Sequence, residues 1–463
     1  MKVLAPPIPS GVSHGRTPPG PRGHALTGNA IELQRDILDF VTKIHEEYGS
    51  ASRVRLLPGY YGYLLSDPSD YKHVLQENSQ VYAKEVLHFD ILSLLIGRSV
   101  VTLNGSLWRQ RRRLAQPAFH SRKIADLSHI MTDLTEGLIA SWDKQPPGTV
   151  VDMEAEMTRL TLRIASKTLL NVEFEGELNS VGRAFADVNR YMSARWVNPA
   201  AIWTARIPTR GNRDYRTAME TLDRAVFDII AERRTSGEDP GDFLSMLLGA
   251  RDEETGEGLT DLGLRDEVMT ILIAGHETSS TALSWTWYLL SQHPEAEEKM
   301  HRELDTVLGG RPPEIGDLPN LPYTANVFNE ALRLYPPAYV IGRKALLEDR
   351  IRGYEIPRGA NVYLVPWVTH RRADLWERPL AFDPDRFSDE RSRGRPQYAY
   401  IPFGGGPRRC LGDTFAETES RLILATIGQR YRPVLCADQP VTPRPLVTIR
   451  PRNGLRMRLE PRA

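Results

Sequence analysis

Of the two cysteines in this chain of 463 residues, only Cys410 has neighbours that could give a thiol chemistry. It follows a glycine-rich run, Phe403-Gly404-Gly405-Gly406-Pro407-Arg408-Arg409, and precedes Leu411-Gly412 and a helix-forming stretch. A free cysteine has a pKa of about 8.5, and it ligates a metal only as the thiolate. Backbone amides of a glycine loop, the start of a helix and a bound metal ion all favour that anion. The pattern therefore points to thiolate ligation of a metal centre. Cys436 has no glycine loop, no cation pattern and no ligand spacing, and it reads as a small apolar residue.

A second cluster, Ala274-Gly275-His276-Glu277-Thr278-Ser279, puts an acid beside a hydroxyl, the pair wanted by a reaction that consumes protons. Gly275 weakens a helix there, and the Thr278 hydroxyl can bond the Ala274 carbonyl four residues back, opening a groove. His276-Glu277 does not extend to a zinc-protease motif, because that motif needs a second His at position 280, which is Ser280. His276 is expected to pack or to face solvent rather than to bind metal. Glu330 and Arg333 lie three apart on one helix face, as do Trp108 and Arg112 four apart, and Arg386 follows in Pro384-Asp385-Arg386-Phe387.

The spacing of Phe403, Gly406, Arg408, Cys410 and Gly412 resembles the haem-binding signature of the cytochrome P450 monooxygenases. The segment around Glu277 and Thr278 resembles that family's oxygen-activation motif. Glu330, Arg333 and Arg386 resemble its Glu-Arg-Arg triad, with Asp385 where the family more often has Glu. The resemblance covers nearly the whole chain, combines a bacterial-type soluble protein with microsomal-like motifs, and implies a cytochrome P450 fold with haem between the long central helix and the cysteine loop. Cys410 is then the iron ligand of haem b. Trp108 and Arg112 then lie on the helix that grips the haem propionates, with Arg343 as a further clamp and Arg408 as a charge-assisted donor to a propionate. Phe403 shields the sulfur, while Gly404, Gly412 and Ala274 complete the haem-binding set, glycines letting backbone approach the macrocycle.

Within the same resemblance, Thr278 and Glu277 are the catalytic pair and the triad stands behind the cysteine loop. The substrate pocket is drawn from residues 85–101, 188–197, 338–341 and 445–446, with Ala274 and Thr278. Val86, Phe89, Leu94, Ala274, Val340, Ile341 and Leu446 stand for it, and their apolar character implies a hydrophobic substrate: a terpenoid, fatty acid or polyketide-like molecule, hydroxylated or epoxidised in secondary metabolism. Two other readings stay open: a haem-thiolate isomerase or dehydratase, and a non-enzymatic haem sensor. No fused flavin or iron-sulfur module is visible, so electrons would come from a separate ferredoxin with its reductase, or from a flavodoxin. Arg109, Arg111 and Arg113 are a candidate docking patch for such an acidic carrier.

These residues need elements to position them. Asp261 to Gln292 contains no proline, is opened by Thr260 as a plausible N-cap, and as a helix would be about 48 Å long. Residues 105–308 read as almost wholly helical, with stops near Pro146-Pro147, Pro199 to Pro208 and Gly237 to Gly241. Ile31 to Ile44 repeats apolar residues at helical spacing, and SRVRLLPGYYGYLL suits a hairpin around Pro58-Gly59. Short strand-like runs, such as YEIPRGANVYLVP and LVTIRP, mark the last third. The expected class is mainly α with a small β region: a Pro/Gly-rich leader at 1–30, then one domain over 31–463, because the chemical residues run from Trp108 to Gly412.

Composition sets the remaining bounds. Lys plus Arg and Asp plus Glu both number 59, which argues against a polyanion-binding protein, so no nucleic-acid partner is expected. Two cysteines are too few for a disulfide framework and suit a reducing compartment. Prolines at 6, 7 and 9 break any signal-peptide helix, and no apolar run approaches the roughly 20 residues that span a bilayer. A cytoplasmic monomer without a membrane span is expected.

Overall fold

Local chemistry sets most helix boundaries in the computed structural model, which describes residues 16–57, 59–173, 180–197, 207 and 209–462. The long helix runs Asp261–Gln292, and the Thr260 hydroxyl accepts from the Gly263 amide at 3.1 Å, so the predicted N-cap is in place. It ends where Pro294 opens the next helix, Pro294–Leu308, at a position that needs no backbone donor. Helix Arg210–Ser236 stops at Gly237, whose φ of +67° suits a residue without Cβ. The expected single helix from Ile31 is two, Ala30–Arg35 and Ile37–Tyr48. Asp36 breaks it: its backbone is extended and its carboxylate accepts from the amides of Leu38 and Asp39, restarting the helix. Leader residues 1–15, Pro58 and most of the stop at Pro199 to Pro208 lie outside the described residues.

The chain divides into two compact units, neither contiguous in sequence. The first comprises Met1–Asp90, Ala338–Ala381 and Gly394–Cys410. It holds a five-stranded sheet in the order Ala51–Leu57, Tyr60–Leu65, Asn361–Leu364, Ile341–Ala345, Tyr82–Ala83. The predicted hairpin is its antiparallel edge, pairing Ala51 with Leu65, and only Tyr60–Leu65 beside Asn361–Leu364 is parallel. Tyr63, Leu65, Val362 and Leu364 bury one core with Tyr71 and Val74. The Tyr71 hydroxyl, fully inside that core, shares a 2.6 Å hydrogen bond with Thr369.

The second unit comprises Ile91–Pro337, Phe382–Arg393 and Leu411–Ala463, and its described residues form mainly helices with two small sheets. In its core, Trp285 of the long helix stacks on Tyr335 at 3.8 Å and donates its indole N–H to the Ile449 carbonyl. That bond ties the long helix to the hairpin Pro443–Pro445 and Ile449–Pro451. Three strands, Val150–Asp152, Arg456–Pro461 and Tyr431–Leu435, form its other sheet. Among the described residues, no helix is long and apolar enough to cross a membrane.

Candidate active site

The cysteine loop is held from below within the first unit. The Ile401 amide donates to His370 Nε2 at 3.0 Å, and the Tyr398 hydroxyl donates to Gln76 Oε1 at 2.9 Å. The Cys410 amide then donates to the Phe403 carbonyl at 2.9 Å, which closes the loop on itself. Gly406 is obligatory: its φ is +63°, and a Cβ would stand 1.8 Å from the Leu75 carbonyl oxygen. Gly404 also has a positive φ, +69°. Arg408 ends the turn Gly406–Arg408, and Cys410 is exposed and forms no disulfide. Helix Asp413–Arg430 begins three residues after it, as the sequence predicts, with Gly412 as its N-cap residue.

Arg343 lies on strand Ile341–Ala345 and is 4% exposed. Its guanidinium donates to the Gly342 carbonyl, yet no carboxylate among the described residues pairs with it. Burial alone pushes its pKa down to about 10. A buried cation without an acid is costly, and an anionic ligand group relieves that cost. A porphyrin propionate is such a group, so the residues present fit a haem. Val86 is buried in the same unit, and Phe89, Val340 and Ile341 are half-buried there.

In the second unit Trp108 and Arg112 share helix Gly105–Ala115, both half-buried. Two neighbours expected to form a docking patch have acids of their own: Arg113 pairs with Asp252 at 2.8 Å and Glu254 at 3.2 Å, and Arg111 stands 3.9 Å from Glu267. Glu330, Arg333 and Arg386 meet as the sequence predicts and are almost fully buried. Glu330 accepts from Arg333 at 2.7 and 2.8 Å, from Arg386 at 3.2 Å and from the Asp383 amide at 3.0 Å.

On the long helix the Thr278 hydroxyl donates to the Ala274 carbonyl at 2.7 Å, the predicted back-bond. His276 is packed, sharing a hydrogen bond with the Leu272 carbonyl and meeting the Phe185 ring edge-on. Glu277 is 6% exposed and held by partners that the sequence reading did not find. Arg450 donates to it from Nε at 2.9 Å and from Nη2, while Thr448 donates to Oε1 at 2.9 Å and Asn189 to Oε2 at 2.9 Å. Burial would raise its pKa, but the Arg450 charge, with the bonds from Arg450 and Thr448, holds it below the ordinary value. Arg450 is 173 positions away, so no spacing rule on one sequence could have linked them.

A cavity of about 1090 Å³ adjoins this cluster. Leu92, Leu95, Val188, Met192, Ile273 and Leu446 line it with apolar surface, and Glu154, Asn189, His276, Glu277 and Arg450 with polar groups. Of the residues expected to mark the pocket, Leu446 lines it, whereas Leu94 is 38% exposed and Ala274 is exposed. The lining from 91–101 and 188–197 does come from the stretches the resemblance implied. Among the described residues, no cluster of three or more His, Cys, Asp and Glu is arranged to hold a metal ion.

Comparison with known proteins agrees with this chemistry. The family model described as Cytochrome P450 matches residues 18–456. Cyclooctatin synthase of Streptomyces melanosporofaciens is 35% identical over 97% of this chain and 96% of its own. Cyclooctat-9-en-7-ol 5-monooxygenase of the same organism is 37% identical over 88% and 87%. The crystal structure of the cytochrome P450DA haem domain superposes with a TM-score of 0.87 at 28% identity, covering 96% of this chain and 98% of that one. Likeness along nearly the full length, in sequence and in fold, means that the chain belongs to the cytochrome P450 family: it is a haem-thiolate monooxygenase that uses O2 and electrons from a redox partner to oxidise a hydrophobic small molecule.

Proposed function

We propose that this enzyme hydroxylates or epoxidises a terpenoid in secondary metabolism. What supports the reading is the relative named for the 5-monooxygenation of cyclooctat-9-en-7-ol, together with the apolar wall from Leu92, Val188, Met192 and Leu446. In this reading residues 31–463 act as one catalytic domain and the cofactor is haem b, with Cys410 as its ligand. The haem, when bound, supplies the oxygen-insertion chemistry. Arg112, Arg343 and Arg408 neutralise its propionates, Trp108 donates to them, and Phe403, Gly404, Gly412 and Ala274 complete its surroundings. Arg343 carries most of this assignment, as the buried cation without an acid.

Thr278 and Glu277 handle protons: the hydroxyl bonded to Ala274 is the near donor and the carboxylate is its source. Glu330, Arg333 and Arg386 keep their chain segments in register. Val86, Phe89, Leu94, Val340, Ile341 and Leu446, with Ala274, shape the substrate side. A ferredoxin with its reductase, or a flavodoxin, delivers electrons, and the protein works as a cytoplasmic monomer.

The test is a spectral titration of the ferric enzyme with terpenoid, fatty acid and polyketide panels, followed by product analysis with a reductant. Terpenoids should shift the spectrum and gain one oxygen. Turnover confined to another class would overturn the substrate assignment, and product without oxygen uptake would favour rearrangement or dehydration. Cys410→Ser should abolish the thiolate-type absorbance band of the reduced, carbon monoxide-treated protein; its persistence would remove Cys410 from the iron.

A further inference from the structure

Arg450 touches two carboxylates. Besides Glu277 it reaches Glu154 of helix Met153–Leu170, Nη1 to Oε1 at 3.3 Å, a looser contact than the 2.9 Å from Nε to Glu277. All three residues line the same cavity. We propose that Glu154 is the outer member of the proton path to Glu277, and that Arg450 swings between the two carboxylates as the proton moves the opposite way. This rests on the reading of Glu277 as the proton source for Thr278.

The reasoning starts from a difficulty. A buried carboxylate paired with arginine is ionised and has no proton to give, and pulling the cation away would leave two unpaired charges largely removed from bulk water. A second acid within reach of the same arginine removes that penalty. Glu154–COOH and the Arg450–Glu277 pair become an Arg450–Glu154 pair and Glu277–COOH. One O–H bond breaks at Glu154 and one forms at Glu277, the charges remain one cation and one anion, and no redox partner is needed. Cavity water carries the proton across the gap.

The groups acting on Glu154 suit the task. Burial pushes its pKa up most, Arg450 opposes this, and Asp152 and Glu277 add to it, leaving it at about 7. Glu154 thus takes and gives a proton at neutral pH, while Glu277 is held low by Arg450, Thr448 and His276. Arg159, on the same helix, is engaged by Glu156 and does not compete. Asn189, from helix Ser180–Val197, keeps Glu277 in place during the exchange.

The test uses full-length haem-loaded enzyme with a coupled substrate and compares Glu154→Gln, Glu154→Asp and Glu277→Gln. Wild type should lose coupling, measured as product against peroxide per electron, as pH rises through about 7. Glu154→Gln should lower the product-to-peroxide ratio roughly tenfold and flatten its pH dependence, with Asp restoring both in part. Infrared spectra of wild type minus Glu154→Gln should show a carboxyl carbonyl band that titrates near neutrality. Wild-type coupling and pH profile in Glu154→Gln, with coupling lost in Glu277→Gln, would overturn the relay and leave Glu277 as proton source. Unchanged coupling in Glu277→Gln would overturn that reading itself, and the lack of any titrating carboxyl band in the wild type minus Glu154→Gln difference would assign the neutral group elsewhere.

Discussion

Glu330 and Glu277 are both buried carboxylates gripped by arginine, and the contrast lies in what else they touch. Glu330 is surrounded by Arg333, Arg386 and the Asp383 amide, none of which lines the cavity. Glu277 has one arginine, and that arginine also contacts Glu154 at a cavity wall. In the proposed reading the first cluster serves as structure, whereas the second offers two arrangements of similar charge balance and moves a proton. Burial of an ion pair therefore does not separate scaffold from machinery. In the proposed relay, a second acceptor at a cavity wall does.

Four substitutions should sharpen that contrast. Glu330→Ala should have the largest effect, leaving two buried arginines without their acid at about 3 to 5 kcal/mol, so that little haem-loaded protein is recovered; normal haem content would show the triad to be dispensable. Thr278→Ala should leave folding intact yet raise peroxide per electron about tenfold or more, read by peroxide and product assays; unchanged coupling would take Thr278 off the proton path.

Glu419 tests the opposite condition, a buried acid with no arginine. It is fully buried on helix Asp413–Arg430, and burial pushes its pKa up to about 8, with only the Ser279 hydroxyl opposing. The unfolded chain releases this proton near 4.5 and the folded chain near 8, so stability should fall as pH rises across that window. Glu419→Gln should remove that fall, visible as a smaller drop in Tm between mildly acidic and mildly alkaline buffer. Thr448→Val should have the smallest effect: it deletes one hydrogen bond to Glu277, worth about 1 kcal/mol, and should slightly raise the pH at which coupling is lost.

Much of the site was legible before folding because it is local. The cysteine loop needs glycines at particular positions, and Gly406 is one where only hydrogen fits beside Leu75. Thr278 bonds within its own helix turn, and Thr260 caps the helix it precedes. The break at Asp36 was missed because an apolar period continues across it while a side chain competes for the backbone.

By itself, then, the order of residues determined the candidate thiolate ligand, the acid-hydroxyl pair, the candidate triad and the helical class, since each rests on contacts between near neighbours or on a motif with strict spacing. Tertiary structure alone decided that Arg450, Thr448 and Asn189 would hold Glu277, that Glu154 would share its arginine, and that Arg343 would be buried without an acid. The reason is physical: burial and pairing between residues far apart in sequence arise only when distant segments pack, and a charge acquires its energetics from that packing rather than from its neighbours in the chain.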